Sequence, residues 1–134
     1  ALLVEDEPLF ESIASSARAT ITDYISLELV NLAWAFSTRG SLHAPLMASI
    51  ASSSLRKITQ FQTCNLTMPA WSFSKLNVSN GPLLHAISSA SIPRISEFSP
   101  QECANTAWAL APLDKVDTPL LAAISSSAIR TISE

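Results

Sequence analysis

An all-α fold, built as an α-solenoid of antiparallel helix pairs, is predicted by three features of the chain. Tryptophans stand at Trp34, Trp71 and Trp108, at intervals of 37 residues. Pro8, Pro45, Pro82 and Pro119 keep the same interval. Between these markers the apolar residues recur with helical spacing. Seven positions in one register make a tandem array, which divides the chain into a half repeat at 8–24 and repeats at 25–61, 62–98 and 99–134. The array starts and stops within a unit, without the polar end caps that solenoids need. The sequence is therefore expected to be a fragment of a longer array, or to have its ends covered by neighbours.

Each unit is expected to hold two helices. The first carries the tryptophan and reads LELVNLAWAFS from Leu27, CNLTMPAWSFS from Cys64 and QECANTAWALA from Gln101. Its start is clearest at Ser99, Pro100 and Glu102: a Ser N-cap, a Pro whose missing N–H would lack an intrahelical partner anyway, and a Glu that closes a capping box. Ala104, Ala107, Trp108 and Ala111 then fall at i, i+3, i+4 and i+7, the spacing of an apolar stripe. The indole is expected to wedge between repeats. Burying it would contribute on the order of 2–3 kcal/mol, and Trp→Ala would cost about 3–5 kcal/mol.

The second helix starts at the register proline, with Thr118 before Pro119 repeating the signal. Leu46, Ile50, Ser53, Ser54 and Ile58 trace its inward face. Of 22 serines, many fall in runs at 52–54, 88–89 and 125–127. Ser is a middling helix former, so these runs predict close helix approach rather than local propensity. Pro69 and Pro93 each remove a helical hydrogen bond and predict kinks in the middle unit.

Composition narrows the function. The 134 residues suit one domain. They are 48% hydrophobic and only 14% charged, where a soluble domain has about 25% charged residues. Part of the surface is therefore expected to be covered by a partner. The net charge is −3 and the pI about 5.3, but Glu5, Asp6, Glu7 and Glu11 crowd the start and the repeats are near neutral. RNA as main partner is disfavoured, because phosphate affinity comes from Lys and Arg. Two glycines leave no material for a phosphate-cradling loop. No catalytic set, metal-ligand cluster or cofactor motif is evident, and no apolar run is long enough to span a membrane. Cys64 and Cys103 are out of register and read as buried free thiols. His43 and His85 read as surface or helix-edge residues. The sequons at Asn65 and Asn77 read as accidental.

Two sets of residues mark a candidate binding face. Arg18, Arg56 with Lys57, Arg94 and Arg130 put a cation in each second helix. They read either as a phosphate-tracking row or, more simply, as intrahelical partners of Glu97 and Glu134 and of the helix dipole. Asn31 and Asn105, each three residues after Glu28 and Glu102, read either as base-reading side chains or as inter-helix hydrogen-bond formers. Met68 at the matching position favours the latter.

The motif QECANTAWALA, with PLLAAISSSAIRTIS after it, resembles the octotricopeptide-like helical repeats of algal and protist organelle proteins, which are related to arrays in RAP-domain proteins. The match is best over 98–113, good over 27–37 and partial over 64–74, where Met68 and Pro69 replace Asn105 and Thr106. The resemblance implies an organellar protein, of the chloroplast before the mitochondrion, and single-stranded RNA as a ligand. The low charge, high apolar content and uncapped ends point instead to a non-enzymatic scaffold for other protein subunits of a large complex, such as a photosynthetic or ribosomal one.

Overall fold

The computed structural model describes residues 7–111 and 118–133. Within them all regular structure is helical. The α-helices are α1 (Glu7–Thr20), α2 (Ser26–Arg39), α3 (Ala44–Lys57), α4 (Thr63–Lys75), α5 (Gly81–Ser91), α6 (Pro100–Leu110) and α7 (Thr118–Ser133). Short 3-10 segments, Ile21–Asp23, Ile58–Gln60 and Ile92–Glu97, follow α1, α3 and α5. Among the described residues no helix is long and apolar enough to cross a membrane.

The helices lie in two rows. In one, α2, α4 and α6 pack side by side; in the other, α3 packs on α1 and α5 on α3, with α7 meeting the segment after α5. Each member of the first row also packs on the helix that follows it. The core lies between the rows and is built from Leu29, Phe36, Leu46, Ile50, Phe73 and Leu83, all buried.

Local chemistry accounts for the helix boundaries. Pro45 and Pro82 sit in the first turns of α3 and α5, where an absent N–H costs nothing. Their N-caps are His43, whose Nδ1 accepts from the Leu46 N–H at 3.1 Å, and Asn80, whose Oδ1 accepts from the Leu83 N–H at 3.0 Å. The capping box at α6 forms as the sequence predicts: the Glu102 N–H donates to Ser99 Oγ at 3.1 Å, and the Ser99 N–H donates to Glu102 Oε2 at 2.6 Å. At α2 only half of it forms, the Ile25 N–H donating to Glu28 Oε2. Gly40 and Asn77 end α2 and the turn after α4 in the left-handed conformation, φ 72° and 55°. This lets Ser41 and Val78 N–H groups reach back to the Phe36 and Phe73 carbonyls.

The two interruptions expected in the middle unit resolve differently. α4 runs through the buried Pro69 without a break in its helical assignment. Pro93 instead ends the α-helix early: α5 stops at Ser91, and Ile92–Glu97 continues as the longest 3-10 segment.

Cations close the hairpins. Lys57 Nζ, at the end of α3, donates to the Thr22 carbonyl at 2.8 Å and to the Tyr24 carbonyl. Arg94 Nη1, 37 residues further on, donates to the Phe61 carbonyl at 2.6 Å. Each ties the end of a second helix to the backbone just before its own first helix. The expected Arg94–Glu97 pair also forms, at 3.2 Å, but the carbonyl contact is the one that fixes tertiary structure. The Arg130 pairing with Glu134 lies outside the described residues. Replacing Lys57 or Arg94 by Met should lower stability by about 1–2 kcal/mol, the worth of a charge-assisted hydrogen bond reduced for partial exposure. Arg56→Met, which loses only a bond to Ser53 Oγ, should cost less; urea denaturation followed by circular dichroism compares the three.

The serine runs are only partly turned inward: Ser52, Ser89, Ser125 and Ser126 are exposed. Ser53, Ser54, Ser88 and Ser91 are buried in the second helices. The hydroxyls of Ser54 and Ser91 lack a hydrogen-bond partner among the described residues. The matching positions hold Ala17 and Ala128. Since a buried unsatisfied donor costs about 1–3 kcal/mol, Ser54→Ala and Ser91→Ala should be neutral or stabilising, read as an unchanged or raised urea midpoint.

Candidate functional site

The outward side of α2, α4 and α6 carries the tryptophans. The expectation that the indoles are wedges inside the array is corrected here. Trp34 is 45% and Trp108 55% exposed, and Trp71 is half-buried between their helices. The apolar stripe of Ala104, Trp108 and Ala111 is likewise exposed, while Cys103, Thr106 and Leu110 form the buried face of α6. The cause is close packing within the row. Thr67 Oγ1 of α4 lies 3.1 Å from Thr106 Oγ1 of α6, and the Thr63 hydroxyl donates to Glu102 Oε1 at 3.3 Å. Helices this close admit hydroxyls and methyls between them but no indole.

The rings interact along the surface. Trp71 and Trp108 centroids are 6.4 Å apart with planes inclined by 32°. Lys75 Nζ sits 4.9 Å from the centroid of the Trp71 ring, within the range of a cation–π contact. Asn31 and Asn105, one turn before Trp34 and Trp108, are exposed, and Met68 is half-buried between them. The inter-helix hydrogen bond expected of these asparagines is made by Thr67 and Thr106 instead.

The charged candidates separate. Glu28 and Glu102 are occupied as helix caps. Arg94 is bound to Phe61 and Glu97. Arg18 and Arg56 meet in a shallow groove on the second row, beside Pro45 and Ser49. Arg130 lies on α7, beside Ser96 and Phe98. Among the described residues these four arginines do not share one groove, and Lys75 is the cation that adjoins an indole.

The remaining candidates are structural. His85 is exposed. His43, besides its capping role, has Nε2 3.3 Å from Glu11; with Nδ1 accepting a backbone bond, the ring proton is on Nε2. Asn65 is buried within α4, which agrees with an accidental sequon. Among the described residues no group of three His, Cys, Asp or Glu side chains converges as metal ligands.

Both cysteines are free, but only Cys103 is buried; Cys64 is exposed, correcting that expectation. Burial pushes the Cys103 thiol above its ordinary value, and the neighbouring Glu102 charge adds to the effect. The reactive thiolate of Cys103 is therefore scarce at neutral pH. Iodoacetamide should label Cys64 well before Cys103, whose rate should climb as the pH is raised; peptide mass spectrometry of a time course checks both.

No protein-family model matches the chain, and no curated protein matches it.

Proposed function

We propose that the chain is an α-solenoid of antiparallel helix pairs with a 37-residue unit, and that it acts as a non-enzymatic scaffold binding protein subunits of a larger organellar assembly. The exposure of Trp34 and Trp108 at equivalent positions on helices of one row carries this reading. Large exposed aromatics in a contiguous patch mark interaction sites, and Trp is enriched among residues that dominate protein–protein binding energy. Asn31 and Asn105 supply the neutral polar rim common at such interfaces. The repeat reading is supported by equivalent roles at positions 37 apart: His43 with Asn80, Gly40 with Asn77, and Lys57 with Arg94. The organellar setting, a chloroplast before a mitochondrion, rests on the resemblance to octotricopeptide-like arrays.

Protein is favoured over RNA by charge. Single-stranded nucleic acid binding combines stacking aromatics with a positive groove that follows the backbone. Here Lys75 adjoins the aromatic row, while Lys57 and Arg94 are bound to carbonyls.

Photo-crosslinkers at Asn31 and Asn105 should capture a defined set of proteins in an organellar extract, and the Trp34→Ala, Trp71→Ala, Trp108→Ala triple variant should lose them. Since two of the indoles are largely exposed, that variant should keep its helical circular dichroism. Tight, steeply salt-dependent binding of a single-stranded RNA, abolished in the same variant, would replace the protein reading by the RNA one.

A further inference from the structure

Two guanidinium groups line one groove on the second row, and the sequence register shows that this pairing is particular to the first joint. Arg18 on α1 occupies a position that holds Leu55, Ile92 and Ile129 in the later units. Arg56 on α3 occupies one that holds Ala19, Pro93 and Arg130 elsewhere. The groove between α1 and α3 therefore has Arg18 and Arg56. The matching residues of α3 and α5 are Leu55 and Pro93, and those of α5 and α7 are Ile92 and Arg130. Both walls of the first groove belong to helices of this chain.

The pair is not neutralised. Among the described residues neither arginine forms an ion pair, and no carboxylate lines the groove. Two like charges in one groove repel, and an anion seated between them turns that repulsion into attraction. Arg56 is also held in place. Its Nη2 donates to Ser53 Oγ at 3.0 Å, and Ser53, fully buried, donates to the Ile21 carbonyl at 3.4 Å. One edge of the guanidinium is thus fixed to the joint, and its other N–H groups are left for a ligand. On the same wall Ser52 has an exposed hydroxyl, while Ser49 donates its own to the Pro45 carbonyl at 3.0 Å.

We propose that this groove binds a phosphomonoester carried on a serine or threonine of a partner protein. Arginine forks match phosphate oxygens bidentately, and arginine clusters are a recurring means of recognising phosphorylated segments. Arg18, Arg56 and the Ser52 hydroxyl supply donors for all three oxygens of the dianion. A carboxylate has fewer oxygens and a single charge, and would leave one arginine unmatched. A nucleic-acid backbone fits less well again. Its phosphates carry a single charge each and follow one another, so they need a cation at every unit, and the next groove has Leu55 and Pro93 instead. The groove, of about 350 Å³, is also bordered by Ile21, Pro45 and Ala48, an apolar floor for residues flanking the phosphate. The site rests on the scaffold reading only for the nature of its partner, and it lies on the other row from the tryptophans.

The test titrates the full chain, isotope-labelled for NMR, with acetyl-Ala-Ala-phosphoserine-Ala-Ala-amide at low salt and follows the arginine Nε–Hε resonances. Those of Arg18 and Arg56 should shift together along one saturable curve while that of Arg130 stays in place. Arg18→Gln and Arg56→Gln, both at exposed positions, should keep the helical circular dichroism. Each should weaken binding at least about tenfold, the effect of losing a charge-assisted hydrogen bond. Ser53→Ala, which releases the Arg56 fork, should weaken it less. The Trp34→Ala, Trp108→Ala variant should bind the peptide as the wild type does, so failure of the tryptophan row and failure of this site are read separately. The same peptide with unmodified serine should not bind. Inorganic phosphate binding as tightly as the phosphopeptide would replace the protein partner by a small phosphate and overturn the proposal on that point. Unmoved Arg18 and Arg56 signals, undiminished binding by the Gln variants, or an equal response to a peptide with glutamate in place of the phosphoserine overturns it altogether.

Discussion

The close lateral approach of α2, α4 and α6 is the constraint from which the other features follow. Interaxial distance between packed helices depends on the side chains at the contact, and here the contact side chains are small. Ala33 and Ala70 are fully buried, as are Thr67 and Thr106. A row this tight has no room for an indole between its members. A tryptophan on such a helix must therefore point either into the core between the rows or outward. The core positions are already filled by Phe36, Phe73 and Leu66, so Trp34 and Trp108 face out and Trp71 is half-buried at the edge of the core. Trp34 and Trp108 are therefore surface residues rather than wedges between helices.

The second row solves a different problem. Its members touch one another less intimately, and the 3-10 segments return the chain to the first row. Backbone carbonyls at these joints have no helical partner, and Lys57 from the end of α3 and Arg94 from the 3-10 segment after α5 satisfy them. At the equivalent place α7 has Thr131, whose hydroxyl donates to the Ser127 carbonyl within its own helix. The third pair thus lacks the tie that closes the first two. Two of the chain's few cations are consumed in structure, which is why a cation count overstates the charge available to a phosphate backbone.

Much of this architecture was legible in the chain. Register prolines locate the starts of second helices because proline tolerates a first turn and little else, and Ser99 with Glu102 announces α6. What was not legible is which side of a first helix faces the core. Periodicity constrains the angle between apolar residues without fixing its origin: Ala104, Trp108 and Ala111 satisfy it as well as Cys103, Thr106 and Leu110. The buried face includes Thr67 and Thr106, whose hydroxyls pair across the contact. The cap at His43 was hidden as well. Its register partner is Asn80, a different residue type, and the shared property is an acceptor atom placed before a proline-led helix.

Exposure at equal register separates the two kinds of apolar surface on this protein. Trp34 and Trp108 are exposed, while Trp71 at the same register of the middle pair is half-buried. Ala104, Ala128 and Ile132 are exposed, whereas Val30 and Thr67, Ser54 and Ser91, and Ile58 and Ile95 at the equivalent positions are buried or half-buried.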